Sequence, residues 1–326
     1  MRTFLRYLSF AIILVGVGIS AFFCYHLITH GIILTPEGKN PDMDLTGGIG
    51  DFIGGSVGTV FSLASALLVV LTLREQEEQN RKDRFAQSFY EMVRLHRDNV
   101  ISLHLPKVSS KPFVGREVFS ELLEDYGKTY NLIHSYCENL IAKSTSKAIH
   151  DYLIDSNKRN IFEMKIANGY LFFGSEEYKL QQVSKVEVDI INDIKNLLHF
   201  NNYTISSHNV LLGHYYRHLY QTVMMLVNEN GLSEKEKYSY AKQLRAQLND
   251  DEQLLLYYNA MSETGADWLY TKHRNISQPD KMCPMARFCM IKNIPFNKKI
   301  YGVNPKQKFE KEAHIFSKRG EFMFEH

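Results

Sequence analysis

Two stretches of 22 residues, 7–28 and 52–73, contain no acidic or strongly basic side chain. At 1.5 Å of rise per residue, each is long enough to cross a hydrocarbon core of about 30 Å as a helix. The pattern then inverts. Residues 74–84, REQEEQNRKDR, hold no apolar side chain and no helix breaker, which predicts a solvated stalk continuing the second span. Past it, Phe85, Phe89, Met92, Val93, His96, Val100 and Leu103 recur at helical spacing until Leu105-Pro106, so the stalk turns amphipathic and docks on a core. The same 3.6-residue period predicts helices over 114–141, 147–153, 187–198, 208–227, 234–248 and 253–261. Ser233 and Glu236 form a capping box for the fifth of these, and Asp250 or Asp251 is placed to cap the sixth. Strand-like alternation is nearly absent. The expected fold is all-α. A two-helix transmembrane hairpin occupies 1–73, the stalk helix 74–104 and a cytoplasmic α-helical domain 105–270, followed by a C-terminal segment, 271–326.

Charge sets an orientation. Arg2 and Arg6 precede the first span, and Arg74, Arg81, Lys82 and Arg84 follow the second, while the short connection between them is acidic on balance. By the positive-inside rule both termini are cytoplasmic, as in a multi-pass membrane protein. A cleaved signal peptide is the rival reading of the first span; its apolar run exceeds the usual ~7–15 residues and no small-x-small site closes it. Residues 271–326 hold twelve Lys/Arg against five Asp/Glu, a net of +7 in a chain of +2, so the first 270 residues carry −5. That basic segment suits nucleic acid, anionic lipid or a protein partner. Four scattered cysteines make no disulfide framework, which fits a reducing compartment.

The second span opens as GGIGDFIGGSVGTVFS, with six glycines in sixteen residues. In water each would cost a helix about 1 kcal/mol relative to alanine. In lipid, helix is enforced by backbone hydrogen bonding, and bare faces let backbones approach. Gly50, Gly54, Gly58, Ser62 and Ala66 are each four residues apart, and the first span offers Gly16, Ser20 and Cys24. These rows suit a tight hairpin, a homo-oligomer, or both. Asp51 sits at the outer edge of the second span. It reads either as a helix-start carboxylate favoured by the macrodipole or as one member of an outer pore-mouth ring in an assembly.

Motifs with catalytic meaning are few. There is no Walker loop, GxSxG or HExxH. His214 and His218 are four apart on one helix, a possible metal pair or, with Arg217, a polar catalytic group; satisfied half-buried histidines are the alternative. Arg97-Asp98 followed by His104 fits loosely the Arg–polar–spacer–His pattern of HEPN-type ribonucleases. Cys283 and Cys289, with His273 near, lack zinc-ribbon spacing and read as ordinary thiols rather than a structural zinc site. No cofactor or metal is expected.

Several stretches together resemble the putative phage abortive infection family related to AbiC. They are GDFIGGSVGTVFSLASALLVVLTLREQ, FAQSFYEMVRLHRDNV, ANGYLFFG at 167–174, LLGHYYRHLYQ at 211–221 and KYSYAKQLRAQLNDDEQLLLYYNAM at 237–261. Where the family carries a small residue after LRAQL, this chain has Asn249. Proteins of this two-span plan also occur as effectors beside retrons, with a reverse-transcribed DNA–RNA hybrid as sensor. The resemblance implies bacterial antiphage defence that harms the infected cell, with a nucleic-acid or reverse-transcriptase partner from the same system; the apolar spans and their bare faces call for a lipid bilayer and further copies of the chain as partners. It supplies no catalytic residues. The expected function is membrane disruption on triggering; the alternatives are a tethered ribonuclease using Arg97 and His104, or a nucleic-acid-sensing scaffold.

Overall fold

A computed structural model of the chain describes residues 2–29, 43–106, 111–143, 146–174, 184–200, 205–269, 284–292, 294–295, 297–305 and 308. Strand is confined, among the described residues, to a single antiparallel pair of two-residue segments, so the fold is all-α. The chain divides into two compact units, Met1–Ala86 and Gln87–His326.

The first unit is a hairpin. Helix α1 spans Arg2–Thr29 and α2 spans Met43–Phe52; a π-helical turn, Ile53–Val57, joins α2 to α3, Gly58–Ile101. Two helical stretches, Arg6–Thr29 and Gly47–Ile101, are long and apolar enough to cross a membrane. Along the apolar part of α3, after the half-buried Gly58, the covered positions are Val60, Ala64, Leu67 and Leu71, at alternating spacings of four and three. On α1 they are Ser9, Ile13, Gly16, Ser20, Phe23 and Leu27, with Ile12 and Ile19 half-buried beside them. This is the seam of an antiparallel coiled coil, in which two stripes face each other along the helices. Phe23 stacks on Phe52 at 4.3 Å near one end, and Arg6 pairs with Glu75 near the other. Residues 74–84 continue α3 without a break and are mostly exposed, as a wholly polar run should be.

In the second unit α3 ends at Ile101. His104–Leu105 (β1) pairs with Phe113–Val114 (β2), and Gly115, at φ +62°, turns the chain into α4, Glu117–Lys143. Helix α4 therefore begins three residues later than periodicity predicts. Lys147–Leu153 (α5), Ser156–Phe173 (α6), Lys185–Phe200 (α7), Asn209–Asn228 (α8), Glu234–Arg245 (α9), Asp250–Met261 (α10) and Pro284–Arg287 (α11) follow. Ser233 and Glu236 make the capping box in both directions. The cap of α10 is Asn249, not Asp250 or Asp251: its side-chain oxygen accepts from the Glu252 N–H at 2.7 Å. Stopping α9 at Arg245 frees Asn249 for that role.

Helix α6 has no counterpart in the periodicity reading. Phe162, Met164, Ile166, Ala167, Tyr170 and Leu171 are all buried, and Glu163 and Asn168 with them. It packs against both α4 and α10, so it shows no polar face and no stripe for periodicity to find. The described residues between 284 and 305, which the sequence assigns to a C-terminal segment, are built into the same core. Arg245 donates to the Cys289 carbonyl at 2.7 Å, Tyr257 donates to the Val303 carbonyl at 2.8 Å, and Tyr258 Oη accepts from the Tyr301 N–H at 2.9 Å. Gly127 explains itself here, since a Cβ on it would lie 2.2 Å from Tyr301 Oη.

Candidate functional site

The small-residue rows of the hairpin do different jobs. Gly16 is buried on the seam, where a Cβ would meet Val60 at 3.1 Å and Phe61 at 3.3 Å. Ser20 lies one turn on, half-buried, its hydroxyl donating to the Gly16 carbonyl at 2.8 Å. The long row of the second helix is elsewhere. Gly50, Gly54, Ser62 and Ala66 are exposed, and a Cβ at Gly50 or Gly54 would meet nothing within 4 Å. Only Gly58 is half-covered, with the Ile53 carbonyl 3.7 Å from such a Cβ. The tight-hairpin use of this row is therefore corrected: the seam takes Val60, Ala64, Leu67 and Leu71, and the glycine row faces away from α1. Cys24 is likewise exposed.

The π-helical turn bears on that row. In an α-helix a step of four residues overshoots one turn by about 40°. Where the Gly58 N–H reaches back to the Ile53 carbonyl, the wider turn makes the same step fall short of a full turn. Opposite offsets before and after Gly54 keep Gly50, Gly54 and Gly58 closer to one line than a uniform helix would. Asp51 is exposed in α2, eight residues beyond the first residue of that helix. It is not in the first turn, so the helix-start reading is corrected.

The helical domain holds a histidine-lined cleft of about 500 Å³ bounded by His104, His208, His214 and Tyr215. Arg97 does not line it; its guanidinium lies 3.8 Å from the neighbouring Asp98 on an exposed face. Sequence spacing thus brings His104 to a cleft but not with its presumed partner. His104 Nδ1 is 3.1 Å from the Ser102 carbonyl. The His214–His218 pair also separates in role: His214 faces the cleft, whereas both ring nitrogens of His218 are buried with no hydrogen-bond partner. Among the described residues no group of three or more His, Cys, Asp and Glu is placed to hold a metal ion. Cys289 is buried; Cys283 and His273 lie outside the described residues, as does most of the basic segment 271–326.

Behind the cleft lies a buried titratable cluster. His96 of α3 is 1% exposed, packed 5.2 Å from the Tyr215 ring and 6.2 Å from the His218 ring, with neither nitrogen partnered. Burial pushes its pKa down to about 4, helped by His218 and Arg116. Glu252 of α10 is fully buried; Tyr215 Oη donates to it at 3.3 Å and Arg116 Nε lies 3.5 Å away. Burial raises its pKa to about 7 against the opposing pull of Arg116 and Tyr215. A second buried carboxylate, Glu163, accepts from Tyr130 at 2.9 Å, with His134 Nδ1 at 2.9 Å and Arg159 at 3.7 Å. Periodicity counts His96 as a core position without marking its chemistry. A polar residue on an apolar stripe was the available signal.

The architecture defines an all-α protein with an apolar N-terminal hairpin and a helical domain carrying buried polar clusters. Residues 207–299, running from just before α8 past α11, match the model of a family described as putative phage abortive infection protein. The AbiC-like resemblance therefore holds over this stretch, and with it a coarse role in defence against phage. No curated protein and no solved structure matches the chain.

Proposed function

We propose that the protein is an abortive-infection effector of the bacterial inner membrane, with both termini cytoplasmic, that damages the membrane when triggered. The observation that carries the reading is the outward-facing row Gly50, Gly54, Ser62 and Ala66 on a helix apolar enough to span a bilayer, in a chain matching an abortive-infection family. Within the hairpin this row has no partner helix, and in lipid such a face associates by close packing. A second copy of the chain supplies the matching surface. Assembled copies would place Asp51 carboxylates around the outer mouth of a pore. The helical domain holds the assembly inactive until a partner or a nucleic-acid sensor acts on it.

The experiment is to replace Gly54 and Gly58 by leucine. A side chain at Gly54 meets nothing in the hairpin and one at Gly58 meets only ordinary contact, so the hairpin itself tolerates the change. Insertion should persist while depolarisation during phage challenge, read with a voltage-sensitive dye, is lost. Variants that still depolarise the cell overturn the self-association. A membrane-tethered ribonuclease is the second reading, favoured by the cleft; it keeps His104 and sets His208 and His214 in place of Arg97. Infection-dependent RNA cleavage that vanishes in His104→Ala and His214→Ala, with polarisation intact, would choose it.

A further inference from the structure

On the face of α8 that carries Arg217, a separate pocket of about 360 Å³ opens between this helix, the C-terminal end of α10 and the 3₁₀ turn Ala266–Trp268. Its walls are aromatic. Tyr216, Tyr220, Phe172 and Trp268 line it, and the Tyr220 and Trp268 rings meet edge-on at 5.3 Å and 79°. Two opposite charges stand at its edge. Arg217 and Asp267 both line the pocket and both are exposed, and neither makes an ion pair or hydrogen bond among the described residues. Packing alone does not account for a pocket in which two free charges of opposite sign flank a set of rings.

The loop is held open by a specific device. Gly265 lies so close to Asn259 that a Cβ on it would fall 2.3 Å from the Asn259 carbonyl oxygen. Thr264 Oγ1 donates to Asn259 Oδ1 at 2.8 Å, and Ser262 Oγ donates to the Asn259 carbonyl at 2.7 Å. The end of α10 is thereby tied to the loop that presents Asp267 and Trp268, so the pocket walls are set before any ligand arrives.

We propose that this pocket binds a purine nucleotide unit, with guanine preferred. The half-buried rings of Phe172 and Tyr220, backed by the buried Tyr216 and Trp268, accept the planar base, since stacking on such rings serves any base. Arg217 offers a planar fork of donors that matches phosphate oxygens. Asp267 offers acceptors only; the guanine edge presents two adjacent N–H donors to such a carboxylate, whereas adenine and the pyrimidines do not present that pair. The volume lies at the lower end of the range for small-molecule sites and suits one nucleotide. The same chemistry could come from a free nucleotide or from one nucleotide of a single strand. The proposal stands apart from membrane damage, because nothing in it requires the hairpin to assemble.

Trp268 is the only tryptophan in the chain, so its fluorescence reports this pocket alone. The full-length protein in detergent is titrated with GMP, AMP, CMP, guanosine and short single-stranded oligonucleotides with and without guanine. Equilibrium dialysis provides a second reading. Saturable quenching by GMP, about tenfold tighter than by AMP or CMP, is expected. Arg217→Ala should weaken GMP about tenfold and guanosine less than twofold, and Asp267→Asn should erase the guanine preference; both sites are exposed, so thermal unfolding should not change. Saturation by GMP identifies a free nucleotide as source, and saturation only by guanine-bearing oligonucleotides identifies a strand. Absence of saturable binding by either, or binding that both variants leave unaltered, overturns the proposal. None of these outcomes alters the depolarisation test, so the two readings fail separately.

Discussion

His96 and Glu252 are buried within reach of the same tyrosine, and their titrations act on stability in opposite directions. The folded-state pKa of His96, about 4, lies below the ordinary 6.5. The unfolded chain therefore binds more protons between those values. The contribution is fully present above pH 6.5 and is lost as pH falls toward 4, on the order of 3 kcal/mol in all. Glu252, raised from 4.5 to about 7, does the reverse, its contribution being lost as pH rises through that window. Around pH 5–6 the two slopes offset each other in the intact protein. Replacing His96 with phenylalanine keeps an aromatic group against Tyr215 and removes only one slope. Denaturant melts of His96→Phe should therefore show stability falling steadily from pH 4.5 to 7, steeper than the parent. An unchanged pH profile would mean that His96 is not held neutral by its surroundings.

Between elements, what decides the contacts is which stripe of a helix is shaped to meet another. On α3 the seam belongs to Val60, Ala64, Leu67 and Leu71, whose spacing of four, three and four keeps them on one side of a supercoiled helix. A bare row at intervals of four does not stay with that seam. On α1 a glycine does, and Gly16→Leu would push α1 away from Val60 and Phe61 of α3. Limited proteolysis of the detergent-solubilised protein should show the hairpin of Gly16→Leu opened to cleavage, with Gly54→Leu protected like the parent; equal protection of both variants would contradict the seam. Helix α6 gives the complementary lesson. It is covered by α4 and α10, so its sequence lacks the polar face by which an amphipathic helix is recognised.

At the scale of the molecule, the polar run 74–84 and the charge asymmetry around the apolar stretches predict a direction for the chain across a bilayer. If the domain 87–326 is cytoplasmic, protease added to spheroplasts should leave it intact, and the same protease on inverted membrane vesicles should cut it. Digestion from the outside would reverse the orientation and, with it, the side from which a trigger must come. The domain itself is closed from its far end. The described residues between 284 and 305 are tied to α9 and α10 through Arg245, Tyr257 and Tyr258, so shortening the chain at 270 would remove the buried Phe288, Met290 and Ile291 and leave the core they pack into without its cover.

Length and polarity along the chain were enough to determine two apolar helices, the stalk, the capping box at Ser233 and the all-α class, because each depends on neighbours within a few turns of the same helix. Asn249 as the cap of α10, the glycine row turned outward, His104 parted from Arg97, and the gathering of His96, Tyr215, Arg116 and Glu252 were decided only by tertiary structure. Each depends on which faces of distant helices meet, and on the one extra residue per turn by which Ile53–Val57 rotates everything before it. Burial then converts an ordinary histidine and an ordinary glutamate into groups with displaced titration. That is a property of what surrounds them, and no run of adjacent residues contains it.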